Sequence, residues 1–513
     1  MHRHNTARPA RSFRSARLAA IGGVAVAALA LAGCSGDGGG GASPSGAPDE
    51  NAVLTVGLVL EPKSLDIRTV SGAPLEQVLI DNVYQGLVTR TPEGDIDTVL
   101  ASGYEISDDS LTYTFTLREG VKFQQGGELT PSDVVSSLEY ARDTPGVVEG
   151  DTLAGATTIV ADGNNIAITL VKPDANFLWN LTGRAGLIFD EGDTTDLAVA
   201  TNGTGPFTLG SWIQGDSISL DRFDGYWGEQ AKVAEVVLKY IPDFTAGVNA
   251  MLGGSLDVLT AVDPNLSSQL DGTDGITLTY GATTDKGTLA FNNTRAPLND
   301  PRVREALRLA VDHEAIVAAI GAGTTLYGPI PPTDPGYEDL WSLVPFDQKR
   351  AKELLKEAGQ ENLSLTLTIP NFYGTTVSTV LVSMYNDIGV TLKVNAVEFN
   401  TWLEDVYTNH DYELSFVLHV EPRDFGNWAN PEYYFNYDNT QVQELYAQAM
   451  ASTDPAEVDS LLAKAARIVS EDNAADWLYN SETVTALRPG VTGFPVDSIN
   501  ARINLANVEV ATE

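Results

Sequence analysis

TYTFTLREGVKFQQGGELTPSDVVSSLEYAR, residues 112–142, carries two periodicities in succession. Tyr113, Phe115 and Leu117 alternate with Thr112, Thr114 and Thr116, the period of two that a strand with one buried face requires. After a glycine turn, Thr130 stands as a helix N-cap, with Pro131 in the first helical position and Asp133 as the reciprocal acid. Val134, Val135, Leu138 and Ala141 then fall on one helical face. The segment predicts strand, turn and capped helix. Upstream, GYEISDDSL (103–111) makes the strand the second arm of a hairpin across an acidic turn. Downstream, TIVADGNNIAITLV (158–171) predicts another hairpin turning at residues 162–165, and LTVGLVL (54–60) reads as an apolar strand.

The second half repeats this grammar without repeating the sequence. Asp300 and Pro301 start a helix bearing Val303, Leu307 and Ala310, and Asp312 caps another that ends near Gly321. Asp347 caps a helix with Ala351, Leu354, Leu355 and Ala358, closed by Gly359. LSLTLTI (363–369), a helix over 375–388 and VTLKVNAV (390–397) follow as strand, helix, strand; short links between such elements imply a crossover and a partly parallel sheet. Asp454, Pro455 and Glu457 open a late helix with Leu461, Leu462, Ala465 and Ile468 on one face. The fold class is α/β.

At 513 residues, 43% hydrophobic and 19% charged, the chain has room for two or three domains. Its 69 acidic against 31 basic side chains give a net charge of -38, which repels phosphate backbones and argues against nucleic-acid binding. A mean hydropathy of -0.07 with one long apolar stretch excludes a polytopic membrane protein. That stretch is LAAIGGVAVAALALA (18–32), preceded by Arg3, Arg8, Arg11, Arg14 and Arg17 with no acid among them. A basic region before a short apolar run is the pattern of an export signal, here residues 1–33. Cys34, the single cysteine, ends LAGC and has no disulfide partner. SGDGGGGASPSGAPDEN (35–51) is a Gly/Ser/Pro tether with nothing to bury, so 34–52 is expected to be a leash.

Catalytic patterns are scarce. His313 and Glu314 begin a zinc-protease helix, but position 317 is valine. No phosphate loop occurs, GTGPFTLG (203–210) has the wrong glycine spacing for a dinucleotide, and the GASPSG serine sits in the tether, where no oxyanion hole can be preorganised. His419 and Glu421 fall on one side of a strand, but two groups do not make a metal site. No catalytic residue, metal or cofactor is assigned. What does stand out is 11 aromatics in residues 399–437. Dense aromatics with a few interleaved charges suit a ligand cleft, and equally a well-filled core beneath the strand YELSFVLHV (412–420). For Trp402, Tyr407 and Phe416 the two alternatives are even; Phe425, Trp428, Tyr433 and Tyr434 follow the strand in loop-like sequence and suit the cleft. Beside them EPRD (421–424) concentrates charge, either as a solvated loop or as ligand contacts.

With these features in view, the chain resembles the extracellular solute-binding proteins of family 5, the oligopeptide, dipeptide and nickel-binding group that serves ABC importers. Residues 112–142 match that group's run of alternating strand, Leu-Arg-x-Gly-Val-x-Phe, glycine turn and Asp-Val-Val helix. In order around it stand EPKSLD (61–66), YQGL (84–87), GTGPF (203–207), FDGYWG (223–228), GSLDVL (254–259), LAFNNTRAPLNDPRVREALRLAVDHEAIV (289–317), IPP (330–332) and FDQKRAKELLKEAG (346–359). LAGC resembles the lipobox of bacterial lipoproteins, which implies diacylglyceryl transfer to the Cys34 thiol.

The resemblance implies a two-lobed periplasmic-binding-protein-like fold, the Venus flytrap of class II. Lobe I would comprise 53–286 and 487–513, with an extra subdomain at about 88–200, and lobe II 287–486. It implies a monomeric, lipid-anchored receptor outside the cytoplasmic membrane that takes a small solute, in many relatives a peptide, to an ABC permease without chemistry on it. Peptide-binding relatives pair the ligand ammonium with an aspartate in Trp-x-x-Asp; that spacing is absent from VLHVEPRDFGNWANPEYYF (417–435). Asp424, then Glu421, are the carried-over ammonium partners, with Arg423 for a carboxylate and Trp428, Tyr433, Tyr434, Phe425 and Trp402 as walls. A glycan or metal chelate as solute, a secreted hydrolase on a similar scaffold, and an adhesion lipoprotein are the alternatives.

Because the Cys34 thiol is expected to serve acylation alone, Cys34→Ser should release the protein from the membrane fraction with its thermal unfolding unchanged. An unmodified Cys34 on mature, membrane-retained protein, seen by mass spectrometry, would refute the anchor.

Overall fold

The computed structural model describes residues 47–70, 72–91, 94–497 and 502–511. The signal segment, Cys34 and most of the tether lie outside the described residues. A mixed sheet of 11 strands runs through the fold. Its order is Thr391–Val397, Ser364–Pro370, Leu414–His419, Thr277–Phe291, Ala475–Leu487, Val258–Leu259, Val53–Leu58, Glu235–Tyr240, Ser217–Arg222 and Phe207–Ile213, with Thr324–Thr325 pairing off Ala475–Leu487. A separate antiparallel sheet of four strands, Ala101–Ile106, Thr112–Leu117, Asn165–Leu170 and Ala156–Asp162, is built from the two expected hairpins.

Local chemistry places the elements where the pattern puts them. Thr130 accepts from the Asp133 N–H while the Asp133 carboxylate accepts from Thr130 N–H, which closes the capping box of helix Pro131–Asp143. Asp300, Asp312, Asp347 and Asp454 each accept a first-turn N–H at the start of their helices. The strand Val53–Leu58 ends before the apolar run does, because Glu61 and Pro62 follow and Leu60 turns out to solvent. Ser364–Pro370 and Thr391–Val397 pair in parallel across helix Thr376–Asp387, as the strand, helix, strand pattern requires.

Two sets of cores flank the long sheet. One is built from 54–258 with the returning segment 491–508, and the four-stranded sheet packs its own core with helix Pro131–Asp143. The other set covers both faces of the second half of the sheet. Between them the chain crosses on two long antiparallel strands, Thr277–Phe291 and Ala475–Leu487. Their ladder is irregular in two places, between Gly287 and Thr288 and, in mid-crossing, where Ala282 pairs Glu482 and Lys286 pairs Asn480, so that Thr283, Thr284 and Asp285 stand against Ser481 alone. The Asn480 amide donates to the Thr283 and Asp285 carbonyls at 3.0 and 2.9 Å, and Thr283 Oγ1 donates to the Ser481 carbonyl at 2.7 Å. The bulge is thus a defined turn of backbone. One residue on, a Cβ at Gly287 would lie 2.4 Å from the Tyr479 ring, so the strands approach closely only because this position is glycine.

His313 is explained by packing. It and Arg308 both approach Asp476 Oδ1 at 3.2 Å in a site closed to solvent, a buried cluster that ties the helices to the return strand.

Candidate functional site

Ser364–Pro370 runs parallel to Thr391–Val397 and to Leu414–His419, so the carboxyl ends of all three strands open on the same edge. Val53–Leu58 is parallel to Glu235–Tyr240 and Val258–Leu259, and Leu259 leads into Thr260 and Ala261. Those two residues, with Thr483, Thr485 and Arg502, line a cavity of about 110 Å³ beside the crossing. Crevices outside the carboxyl ends of parallel strands are where α/β sheets receive ligands. The Leu414–His419 end reaches the Thr283–Asp285 bulge through Val420, whose carbonyl accepts from Thr284 Oγ1, and the chain leaving Val258–Leu259 runs beside the return strand toward it, Val262 N–H donating to the Val484 carbonyl at 2.8 Å.

On the second-half side the edge is aromatic. Phe372 and Phe399 meet edge to face at 5.7 Å, Phe399 stacks on Trp402 at 5.9 Å, Trp402 leads to Tyr407, and Tyr407 meets Tyr433 edge to face at 5.7 Å. Phe372, Phe399 and Tyr407 are 61%, 43% and 44% exposed, which leaves a wide apolar surface open to a ligand. Tyr407 sits on a π-helical turn, Leu403–Thr408. Phe372 and Phe399 were not singled out in the sequence as ligand contacts, and Phe372 lies outside the aromatic-rich segment altogether.

Beside this surface lies a buried charge cluster centred on Lys286. Its ammonium is 3.2 Å from Asp424 Oδ1 and donates to the carbonyls of Thr284 and Glu421 at 3.0 and 3.1 Å, which uses its three protons. Burial nonetheless holds the Asp424 carboxyl above its ordinary range against the pull of Lys286. Burial pushes Asp285 up to about 6, with Glu421 adding to the shift and Lys286 opposing it. Asp334 also rises to about 6, through burial and the neighbouring Asp424. Its Oδ2 accepts from the Arg423 N–H at 2.6 Å, while Oδ1 is buried without a partner. His419 is pushed down to about 4 by burial and Lys286, so its imidazole is neutral at pH 7.

The structure brings together Asp424 and Glu421 around Lys286, but Asp424 already holds a cation. Glu421 is exposed. The Arg423 guanidinium lies over the Trp179 ring at 4.1 Å, as Arg90 also does, far along the chain from its own loop. Nearby the Ala175 N–H donates to the Met450 carbonyl at 3.0 Å. Phe425 is buried and lines a cavity of about 20 Å³ with Asp334, Arg423 and Tyr446. Trp428 stacks on Phe435 at 3.9 Å and meets Trp477 edge to face; Tyr434 and Trp402 are equally buried, Trp402 donating to Ser415 Oγ at 2.9 Å. These four form a floor beneath the cleft, and Tyr433 is half-buried at its surface. Sequence reasoning missed Lys286, Asp285, Asp334 and Trp179.

The buried acids give a test of this electrostatic picture. A carboxyl whose folded pKa stands near 6 against about 4 unfolded favours the fold at low pH and loses that contribution as pH rises from about 4 through 6. Asp334→Asn keeps an acceptor for the Arg423 N–H and removes the charge. Calorimetry should find the variant more stable than the parent at pH 7.5, on the order of 2 kcal/mol, with the difference shrinking as the pH falls through 6 and vanishing only below about pH 3. Equal destabilisation at both ends of that range would contradict it.

Residues 95–465 match the sequence profile of the bacterial extracellular solute-binding proteins, family 5 Middle. The glutathione-binding protein GsiB of Escherichia coli (strain K12) is 28% identical over 455 residues, covering 82% of this chain and 87% of that protein. Among solved structures, HbpA2 from Haemophilus parasuis superposes with a TM-score of 0.82 at 21% identity, covering 90% of this chain and 100% of that one. The ABC transporter-associated periplasmic binding protein DppA from Helicobacter pylori, in complex with peptide STSA, gives 0.72 at 24% identity, covering 90% and 98%. Among the described residues, no helix is long and apolar enough to cross a membrane. With its profile match, two-lobed α/β fold and strand-end crevice, the chain belongs to the bacterial extracellular solute-binding proteins of family 5, receptors of ABC importers that bind solutes and are not enzymes.

Proposed function

We propose that the chain captures a peptide or similar small amine-bearing solute between lobe I (53–286 with 487–513, including a subdomain at about 88–200) and lobe II (287–486), and hands it to an ABC permease. Residues 1–33 would direct export, and acylated Cys34 with the tether 34–52 would hold a monomeric receptor at the outer face of the membrane. The observation that carries the capture reading is the approach of the Leu414–His419 end and of the chain leaving Val258–Leu259 to the bulge at Thr283–Asp285, where aromatic surface and acidic charge lie side by side. The names of the relatives support the solute class: GsiB is a glutathione-binding protein, and DppA holds the peptide STSA.

Within the cleft, Glu421 and Asp285 present the carboxylates that meet the cationic end of the solute, and Asp424 supports them through Lys286. Phe372, Phe399, Tyr407 and Tyr433 supply the apolar wall. Trp402, Phe425, Trp428 and Tyr434 hold that wall from beneath. Arg423 reaches a solute carboxylate only by leaving Trp179. A lone ammonium enclosed in a closed cleft is costly unless a carboxylate meets it, and truncating one member of such a pair costs about 2 to 5 kcal/mol.

Native mass spectrometry of the protein purified from its own host should reveal a co-purified amine-bearing solute. Titration of that solute should weaken at least tenfold in Glu421→Gln and in Tyr433→Ala. A neutral glycan bound equally well by the parent and both variants would overturn the amine assignment.

A further inference from the structure

His419 and Glu421 lie two residues apart at the carboxyl end of Leu414–His419, on one side of the chain, and the following turn folds Asp424 back onto them. One ligand atom from each of the three lies within 4.8 Å of the others. His419 Nδ1 and Asp424 Oδ2 are 3.8 Å apart. Two donors on a tetrahedral ion with bonds of about 2.1 Å stand about 3.4 Å apart, so a small contraction brings them into range.

The histidine points to a ligand independently of the acids. Its side chain is 9% exposed, and its ring lies parallel to that of Tyr434. Nε2 is hydrogen-bonded to Tyr434 Oη at 2.9 Å, whereas Nδ1 has no hydrogen-bond partner among the described residues and lies on the Asp424 Oδ2 side. A metal-binding imidazole is commonly held in this way, one nitrogen fixed by an outer partner and the other presented to the ion. Asp424 is held similarly: Lys286 takes Oδ1 and leaves Oδ2 on the His419 side.

We propose that His419, Glu421 and Asp424 form a divalent-cation site of the first-row transition type, with an open coordination position on the cleft. One nitrogen and two carboxylate donors suit zinc, nickel, iron or manganese better than calcium, which takes more oxygen ligands. Three protein ligands leave a position for the solute, whose carboxylate would coordinate there, and an ion on Glu421 leaves Asp285 to meet the ammonium. The identity of that fourth donor rests on the capture reading; the metal site does not.

Chelator-treated, solute-free full-length protein titrated calorimetrically with Zn²⁺ alone should bind one ion per chain in the micromolar range or tighter. Affinity should fall at least tenfold in His419→Ala and in Glu421→Gln. The latter changes an exposed carboxylate that no core depends on, so it remains informative if the histidine variant does not fold. Asp162→Asn, in a distant hairpin turn, should bind as the parent does. Absence of Zn²⁺ binding in the parent, or binding indifferent to both site changes, overturns the site. Solute binding that survives chelation in a protein with no affinity for Zn²⁺ also overturns it, and leaves solute capture intact.

Discussion

Three residues of one strand, Thr283 to Asp285, stand against Ser481 alone in the crossing ladder, and the rest of the cleft depends on that mismatch. A regular antiparallel ladder there would be a stiff, flat connection between the two sets of cores. The extra residues bend it, and the Asn480 side chain fixes the bend by bonding the carbonyls the ladder no longer serves. The bulge also delivers Lys286 to the end of Leu414–His419, where Thr284 Oγ1 bonds the Val420 carbonyl and Lys286 bonds that of Glu421. Joint and solute surface are therefore built from the same few residues.

The charge there is arranged to remain unbalanced. Lys286 is buried and saturated, so it steadies Asp424 without meeting a solute. Asp285 and Asp334 rise toward 6 because burial and neighbouring acids work against ionisation more than Lys286 favours it. The guanidinium of Arg423, the other nearby cation, lies over the ring of Trp179, a buried residue of helix Phe177–Leu181. Acidic side chains thus stand beside a broad aromatic surface, the combination on which the proposed capture of an amine-bearing solute rests.

Much of the fold was legible because it is written locally. Thr130 with Asp133, and Asp300, Asp312, Asp347 and Asp454, mark helix starts that need only neighbours in sequence. The alternation in 112–117 and 165–170 marks strands for the same reason. The site was legible only in part. Aromatic density over 399–437 located its region, but density alone does not distinguish Trp428, stacked on Phe435 in the core, from Tyr407, facing out on a π-turn. Lys286, Asp334 and Trp179 reach the cluster from segments some 90 to 250 residues from the EPRD loop. Nothing in their own surroundings announces it, because the register break that assembles them is a property of strand pairing.

We propose that the bulged crossing is a hinge and that a solute at the strand ends closes the lobes around it. Small-angle X-ray scattering on the solute-free protein, then with its co-purified solute at saturation, tests this directly. The account predicts a smaller radius of gyration in the bound state, with secondary structure unchanged. A radius of gyration identical in the two states, under conditions where binding is shown to be complete, would contradict it.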